Sequence, residues 1–303
     1  MSAKTNKAAP VSGQWLAVLT AVIGYLIWGL STLFSKITLH MTAPSVVLAI
    51  RFLMATVFMS LLLPFPQFRV SFRGKNWVPI TLLVVTELLY FYFESFGILY
   101  TNATYAGVFL ATVPVVSIGT GILFLKEYPT KRQALFCLLP VAGAIILTVS
   151  GNSLGILRPI GVVFLVCCCL SSAAYKTANR KSSEEFSSFE RTYIVIVACA
   201  VVFTVVALFS TGGDLQAFLV PLSDRTFLFS SIMLSLCCSV LSNLLVNYSA
   251  ARMPVLQSSS FSSLSTLCSM TAGVIFLHEP MTFSLLLGAI LILVGIHQVI
   301  QPK

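Results

Sequence analysis

The sequence predicts an all-α membrane protein with ten transmembrane helices in two inverted five-helix repeats, and three observations lead to this prediction. The chain has 303 residues, of which 57% are hydrophobic and only 9% are charged. Soluble domains contain about 25% charged residues, so this composition is typical of a chain that crosses a bilayer several times. The apolar residues form ten runs of about 20 residues, the length that a spanning helix needs. The second half of the chain also repeats a pattern of the first.

The ten apolar runs follow a polar stretch, residues 1–13, which we expect to be a short cytoplasmic tail. The first run is too long for a signal-peptide core, and no small-residue cleavage site follows it, so we expect it to be a retained span. The predicted spans are 14–35, 44–63, 77–99, 103–125, 131–149, 156–176, 190–210, 226–248, 254–277 and 282–300.

Lysines and arginines predict the orientation of these spans. With the N-terminus inside, the outer side holds only Lys36, Arg158 and Arg225, while Arg51 lies within a span. The inner side collects the other basic residues, namely Lys4, Lys7, Arg69, Arg73, Lys75, Lys126, Lys131, Arg132, Lys176, Arg180, Lys181, Arg191, Arg252 and Lys303. Basic residues are retained at the cytoplasmic face, so both termini are predicted to be cytoplasmic. The net charge of +9 has the same explanation and does not indicate a nucleic-acid partner.

An internal repeat divides the chain into residues 1–151 and 152–303. An offset of 152 residues superposes Phe109 on Phe261, Ser117 on Ser269, Gly121 on Gly273, Glu127 on Glu279 and Gly143 on Gly295. Each half holds five spans, an odd number, so the second half must be inserted upside down. Inverted repeats are typical of secondary transporters, whose substrate site lies near the bilayer midplane. The alternative explanation of the repeat is chance similarity between apolar helices. We expect Glu127 and Glu279 to cap helices.

Several short motifs resemble those of a known transporter superfamily. They are Trp28-Gly29, Arg51-Phe52, Pro114, Phe124-Leu125-Lys126-Glu127 and Phe276-Leu277-His278-Glu279. Together with the spans and the repeat, they resemble the drug/metabolite transporter superfamily, in particular its EamA-type exporters, over essentially the whole chain. The resemblance implies a carrier in a bacterial plasma membrane, because related branches move amino acids, nucleotide sugars, organic cations and other metabolites. Thr266 stands where the repeat would match Pro114, so any kink in span nine needs another cause.

Span three carries the two acidic residues that fall inside a predicted span, Glu87 and Glu94. Leu83, Glu87, Tyr90, Glu94 and Gly97 recur at three- and four-residue spacing, so they share one helical face. An acidic side chain within the membrane costs about 2.5–3.5 kcal/mol, so we expect this face to line an interior cavity. Burial and mutual repulsion favour the protonated form of at least one acid. Such a carboxyl suits proton coupling, and one beside aromatic rings also suits an ammonium ligand.

Arg51 lies at a depth similar to that of Glu94, which leaves two interpretations of Glu94 open. Either the two residues form a buried ion pair, or Glu94 contacts the substrate directly. Arg51 has the further alternative of snorkelling to the outer interface. Glu87 has no basic partner at its depth, so we favour it as the residue that binds substrate or a proton.

Other polar residues inside the spans are weaker candidates for contact with a polar solute. Asn243 in span eight and Gln257 in span nine offer amide groups, although small and polar residues also simply pack helices together. Trp28 lines the cavity or lies at a packing seam. Tyr175 and Lys176 end span six, where we expect snorkelling into the cytoplasmic interface.

The available residues do not suit the main alternative classes. Intramembrane aspartyl proteolysis needs two membrane aspartates, but Asp214 and Asp224 share one outer loop. The three histidines are scattered at segment ends and the eight cysteines lie in apolar segments, so no metal, cofactor or disulfide framework is predicted. No Walker sequence is present, so ATP-driven pumping by this chain is not expected.

We therefore predict a secondary active transporter, not an enzyme, that works by alternating access. The expected solute is a small polar metabolite or organic cation of amino-acid or amine type. Export and proton coupling follow from the resemblance, not from a residue pattern. The alternatives are a channel, or a membrane receptor or structural subunit without transport, although one acidic helix does not form the charge ring of a channel. Solute identity and oligomeric state are left open.

Overall fold

The computed structural model describes residues 11–39, 41–71, 74–100, 109–110, 112–150, 158–277 and 283–301. This part of the chain is helical and contains no β-strand, as the sequence predicts. Five of its helices are long and apolar enough to cross a membrane, namely Trp15–Leu39, Trp77–Glu94, Pro159–Ser182, Ser188–Ser210 and Arg225–Ala250. Three shorter apolar helices are Pro44–Ser60, Val113–Leu125 and Leu286–Ile300.

The helices are labelled in chain order for the description that follows. They are α1 (Val11–Leu39), α2 (Pro44–Ser60), α3 (Trp77–Tyr100), α4 (Val113–Thr120), α5 (Lys131–Phe136), α6 (Leu138–Ser150), α7 (Pro159–Ser182), α8 (Ser188–Ser210), α9 (Gln216–Leu222), α10 (Arg225–Ile232), α11 (Ser242–Ala250), α12 (Val255–Ser260), α13 (Ser263–Leu277) and α14 (Phe283–Ile300). A π-helical segment, Gly121–Leu125, extends α4, and another, Met233–Leu241, joins α10 to α11.

Polar side chains determine where some of these helices begin. At the start of α8, Glu190 N donates to Ser187 Oγ at 3.2 Å, and Ser187 N donates to Glu190 Oε2 at 2.8 Å. Thr130 and Gln133 form the same reciprocal pair at the start of α5. Such a capping box satisfies backbone N–H groups that have no partner within the helix. The box at Ser187 thereby places Arg191 in the first turn of α8.

Helices from the two halves of the chain pack against each other. α3 packs along α7 and α2 along α8, while α1 lies against α11 and α13. The ring of Phe52 on α2 lies 5.3 Å from that of Phe91 on α3 and 5.7 Å from that of Phe203 on α8. These rings belong to a large buried cluster that joins the three helices. The polar face of α3 is therefore held close to helices of the second half.

Two glycines allow α6 and α14 to approach closely. A Cβ on Gly143 would lie 2.6 Å from Gly288 O, and one on Gly295 would overlap the ring of Pro140. Small residues at helix crossings permit the close backbone contact on which membrane helix packing depends. Gly143 and Gly295 are also partners in the sequence repeat, so repeat-related positions meet at one seam.

The second-half helix that lacks the repeat proline is interrupted all the same. A turn separates α12 from α13. Beside it, Ser262 Oγ donates to Ser259 O at 2.6 Å, and Ser265 Oγ donates to Ser262 O at 2.6 Å. Serine side chains that bond to preceding carbonyl groups compete with the helical ladder and bend helices. Thr266 stands where the repeat would place a proline like Pro114, so proline cannot cause this break. The serines beside the turn account for it instead.

Candidate functional site

The acidic face of α3 is turned into the protein. Leu83 is buried, Glu87 is 3% exposed and Tyr90 is 9% exposed, while Glu94 is half-buried. Gly97 continues this face against α7, where a Cβ would contact a leucine side chain at 2.5 Å. The face that the sequence predicts to avoid lipid therefore lies against neighbouring helices.

Glu87 makes no hydrogen bond or ion pair within the described part of the chain. Five residues on four other helices lie within electrostatic range of its carboxyl group. They are Tyr25 on α1, Arg51 on α2, Cys168 and Tyr175 on α7, and Cys199 on α8. A buried polar group without a hydrogen-bond partner is costly, so this carboxyl group is free to take up a proton or a cationic ligand.

Glu94 is held by a tyrosine and not by the arginine. Tyr90 Oη donates to Glu94 Oε1 at 2.7 Å. Arg51 Nε donates to Ser239 Oγ at 2.6 Å, and its guanidinium carbon lies 5.7 Å from the centroid of the Phe91 ring. Among the described residues, the ion pairs do not include Arg51 with Glu94, although the two lie within electrostatic range. Arg51 is 6% exposed, so it does not snorkel either.

The π-helical segment Met233–Leu241 holds Ser239 against Arg51, and Asn243 lies one turn further along, on α11. Ser239 Oγ accepts from Arg51 and donates to Leu234 O at 2.9 Å. Asn243 Nδ2 donates to Ser239 O at 2.8 Å, while Asn243 Oδ1 is buried and has no hydrogen-bond partner in the described residues. π-Helical turns are rare and frequently occur at functional sites. Asn243 is therefore linked to Arg51 through Ser239, and its Oδ1 remains an acceptor without a partner among the described residues.

Two of the sequence candidates, Gln257 and Trp28, are not joined to this group. Gln257 Nε2 donates to Val299 O at 3.4 Å and so ties α12 to α14. Trp28 is half-buried on α1. Within the part of the chain that the structure describes, no hydrogen bond links either residue to Glu87.

Lys176 lies in a different environment from the predicted one. The predicted span ended at this residue, but α7 continues to Ser182. Lys176 Nζ is buried, has no hydrogen-bond partner among the described residues, and lies 5.5 Å from the centroid of the Tyr25 ring. The side chain of Tyr25 in turn lies near that of Ser258 on α12. The expectation that Lys176 snorkels was wrong, because the longer helix places its amine inside the protein.

A second buried polar group, the Arg191 network, consists of Arg191, Asn179, Asn247 and Thr192 and joins α7, α8 and α11. Arg191 is 0% exposed; its Nη1 donates to Asn179 O at 2.8 Å and its Nη2 to Asn247 O at 2.6 Å. Asn179 Nδ2 donates to Asn247 Oδ1 at 2.6 Å, and Asn247 Nδ2 donates to Thr192 Oγ1 at 2.7 Å. Within this network, Arg191 Nε has no hydrogen-bond partner among the described residues. The sequence analysis did not predict this network. Asn179 and Asn247 were the residues that could have indicated it.

Glu127 caps a helix, as predicted, and that helix belongs to the other half of the chain. Its Oε2 accepts from Val255 N at 2.7 Å, at the start of α12, and its Oε1 lies 3.4 Å from Arg180 Nε. Arg180 Nη1 also donates to Ala251 O at 2.5 Å. A carboxylate is favourable at a helix N-terminus because it accepts from unpaired N–H groups. Its repeat partner Glu279 lies outside the described residues.

A helical chain with several membrane-length segments and acids directed into its interior has the character of a membrane transport protein. The chain belongs to the EamA-like transporter family, whose model matches residues 15–149 and again residues 159–300. The uncharacterized transporter YcxC of Bacillus subtilis (strain 168) is 32% identical over 287 residues, which cover 93% of this chain and 92% of the relative. A solved crystal structure of a protein shares the fold, with a TM-score of 0.79 at 15% identity over 96% of each chain. The predicted resemblance is thereby confirmed.

Proposed function

We propose that this protein is a secondary active transporter of ten transmembrane helices in two inverted repeats, residues 1–151 and 152–303. The family model matches once in each half, which supports the repeat. The packing supports it too, because the 152-residue offset relates α1 to α7 and α3 to the helix that ends in α11. Thus α1 packs on α11 as α7 packs on α3, and the related helices α6 and α14 pack on each other.

We place the protein in a bacterial plasma membrane with both termini in the cytoplasm. The Bacillus relative supports the bacterial assignment. The basic residues that collect on one side of the predicted spans support the orientation.

The observation that carries the functional proposal is the buried carboxyl group of Glu87, which has no hydrogen-bond or ion-pair partner among the described residues. A carboxylate within an aromatic interior binds an ammonium group through charge, and nearby rings such as that of Tyr25 add a cation–π contribution. The transporter therefore exports a small amino-containing or cationic metabolite. Glu87 releases a proton when the solute binds and takes one up after the solute leaves.

Alternating access exposes Glu87 to one side of the membrane at a time, as the two halves move around it. Glu127 lies in the first half, yet it bonds to Val255 and Arg180 in the second. These contacts must break and form again as the halves move. The contacts of Glu127 with Val255 and Arg180 therefore stabilise the conformation described here.

Reconstitution of Glu87→Gln in liposomes tests this function, after a thermal-shift screen in detergent has identified a solute that binds the folded protein. We expect counterflow of that solute to fall about tenfold or more and to lose its dependence on pH, because the amide neither carries charge nor titrates. The matched control is Glu184→Gln, since Glu184 is exposed and pairs with Lys181 at the surface.

A wild-type rate with unchanged pH dependence in Glu87→Gln would overturn the role of this residue. The same assay separates the alternatives to a carrier. A channel would pass current without counterflow, and a receptor would bind the solute without moving it.

A further inference from the structure

Lys176 has a buried ammonium group to which the proposed transport mechanism assigns no role. Its Nζ has no hydrogen-bond partner in the described residues, and the ion pairs there do not include it. We propose that Lys176 binds an anionic group of the transported solute. The solute is then a small zwitterion, with an ammonium group at Glu87 and a carboxylate at Lys176. This inference rests on the proposed function and narrows its solute class.

A structural role explains Lys176 poorly. An ammonium group carries three donors, and burying them without partners is unfavourable. The described neighbour of Nζ is the Tyr25 ring at 5.5 Å, a contact that leaves all three donors unused. Arg191 shows how this fold treats a structural cation, because both of its terminal nitrogens donate to backbone carbonyl groups.

Lys176 and Glu87 are connected through shared neighbours. Tyr25 lies beside Lys176 and within electrostatic range of Glu87. Tyr175, which precedes Lys176 on α7, is also within electrostatic range of both Glu87 and Tyr25. An acid and a base that both lack a hydrogen-bond partner among the described residues thus have the same tyrosine as neighbour. A solute with one charge of each sign satisfies both groups, whereas a simple amine leaves Lys176 unpaired.

Matched solutes test the inference in liposomes that contain the wild-type protein. Each series pairs an amino acid with its decarboxylated amine and its deaminated acid. The series are alanine with ethylamine and propionate, phenylalanine with phenethylamine and 3-phenylpropionate, and 4-aminobutyrate with propylamine and butyrate. We expect counterflow for the zwitterion of at least one series and little for its two partners.

The variant Lys176→Met then tests whether Lys176 causes the preference for the zwitterion. Methionine fills a similar volume without charge, and we expect about tenfold or greater loss of zwitterion counterflow, with counterflow of the amine kept or increased. The control is Lys181→Met on the same helix, because Lys181 is exposed and pairs with Glu184 at the surface. Thermal unfolding in detergent further distinguishes a binding role from a structural role of Lys176. If the role is binding, Lys176→Met should have a melting temperature no lower than that of the wild type.

The outcomes separate failure of this inference from failure of the proposed function. Counterflow of amines as fast as zwitterions would overturn the zwitterion site and leave a Glu87-dependent carrier intact. The same holds if Lys176→Met keeps the zwitterion preference, or melts well below the wild type. If the wild type moved none of the nine compounds, the zwitterion inference would fail, and the proposed function would fail with it if the solute found in the thermal-shift screen also showed no Glu87-dependent counterflow.

Discussion

Asn243 and Asn247 lie one turn apart on α11, yet they belong to regions of opposite character. Asn247 accepts from Asn179 at 2.6 Å and donates to Thr192 at 2.7 Å, so its amide is engaged on both sides. Asn243 uses its nitrogen alone, and its buried Oδ1 has no partner in the described residues. One turn of helix therefore separates a bonded region from an under-bonded one.

The buried charges divide in the same way. Arg191 donates to Asn179 and Asn247, whereas Glu87 and Lys176 have no hydrogen-bond partner in the described chain. A hydrogen-bonded polar group contributes modestly to stability, while an unsatisfied buried one costs about 1–3 kcal/mol. The bonded region thus stabilises the fold. The under-bonded region is unfavourable for stability and suited to binding a ligand.

Arg191→Met should show the largest effect on stability. Its loss removes the buried hydrogen bonds that Arg191 donates to Asn179 O, Asn179 Oδ1 and Asn247 O, so we expect the free energy of unfolding to fall by about 3 kcal/mol or more. The matching variant in the under-bonded region is Lys176→Met, for which we expect no loss. Unfolding in detergent, followed by heat or denaturant, measures both. Equal losses would abolish the distinction between the regions.

Leucine at the two asparagines should separate stability from transport within one helix. Asn247→Leu removes a donor and an acceptor from the Arg191 network, and we expect a cost of about 1–3 kcal/mol with solute affinity kept. Asn243→Leu should leave the melting temperature nearly unchanged but weaken solute binding. Thermal melts and counterflow on the same preparations measure the two effects. The reverse pattern would place Asn243 in the structural set.

Tyr90→Phe should have the smallest effect. It removes the donor that holds Glu94, at a cost of about 0.5–1.5 kcal/mol, and so turns a bonded acid into an under-bonded one. We expect a slightly lower melting temperature and an altered pH dependence of counterflow. Tyr92→Phe serves as the control, because Tyr92 is an exposed tyrosine on the same helix. If Tyr90→Phe and Tyr92→Phe gave the same melting temperature and the same pH dependence of counterflow, the Tyr90–Glu94 hydrogen bond would have no role in transport.

Helix positions and the burial of the α3 face were predictable because both depend on local patterns. Apolar runs define helices, and three- and four-residue spacing brings Leu83, Glu87 and Tyr90 onto one face. Motifs at fixed spacing likewise predicted the transporter family. The capping role of Glu127 followed from its place at a span end, although its partner Val255 in the other half did not.

The partners of long polar side chains were not predictable in the same way. Arg51 and Glu94 have similar depths in sequence, but Arg51 bonds to Ser239, which a π-helical segment holds within reach. Hydropathy likewise ended a span at Lys176, while the helix continues to Ser182. In both cases, the result depends on a neighbouring helix or on the exact end of a helix.

The sequence by itself therefore determined the class of protein, most helix positions and the acidic face of α3, because hydrophobicity and helical periodicity are properties of contiguous residues. Only the tertiary structure decided which buried charges are satisfied. A hydrogen bond needs two atoms within about 3 Å. Those atoms come from helices far apart in the chain, so their distance is defined only after the helices have packed.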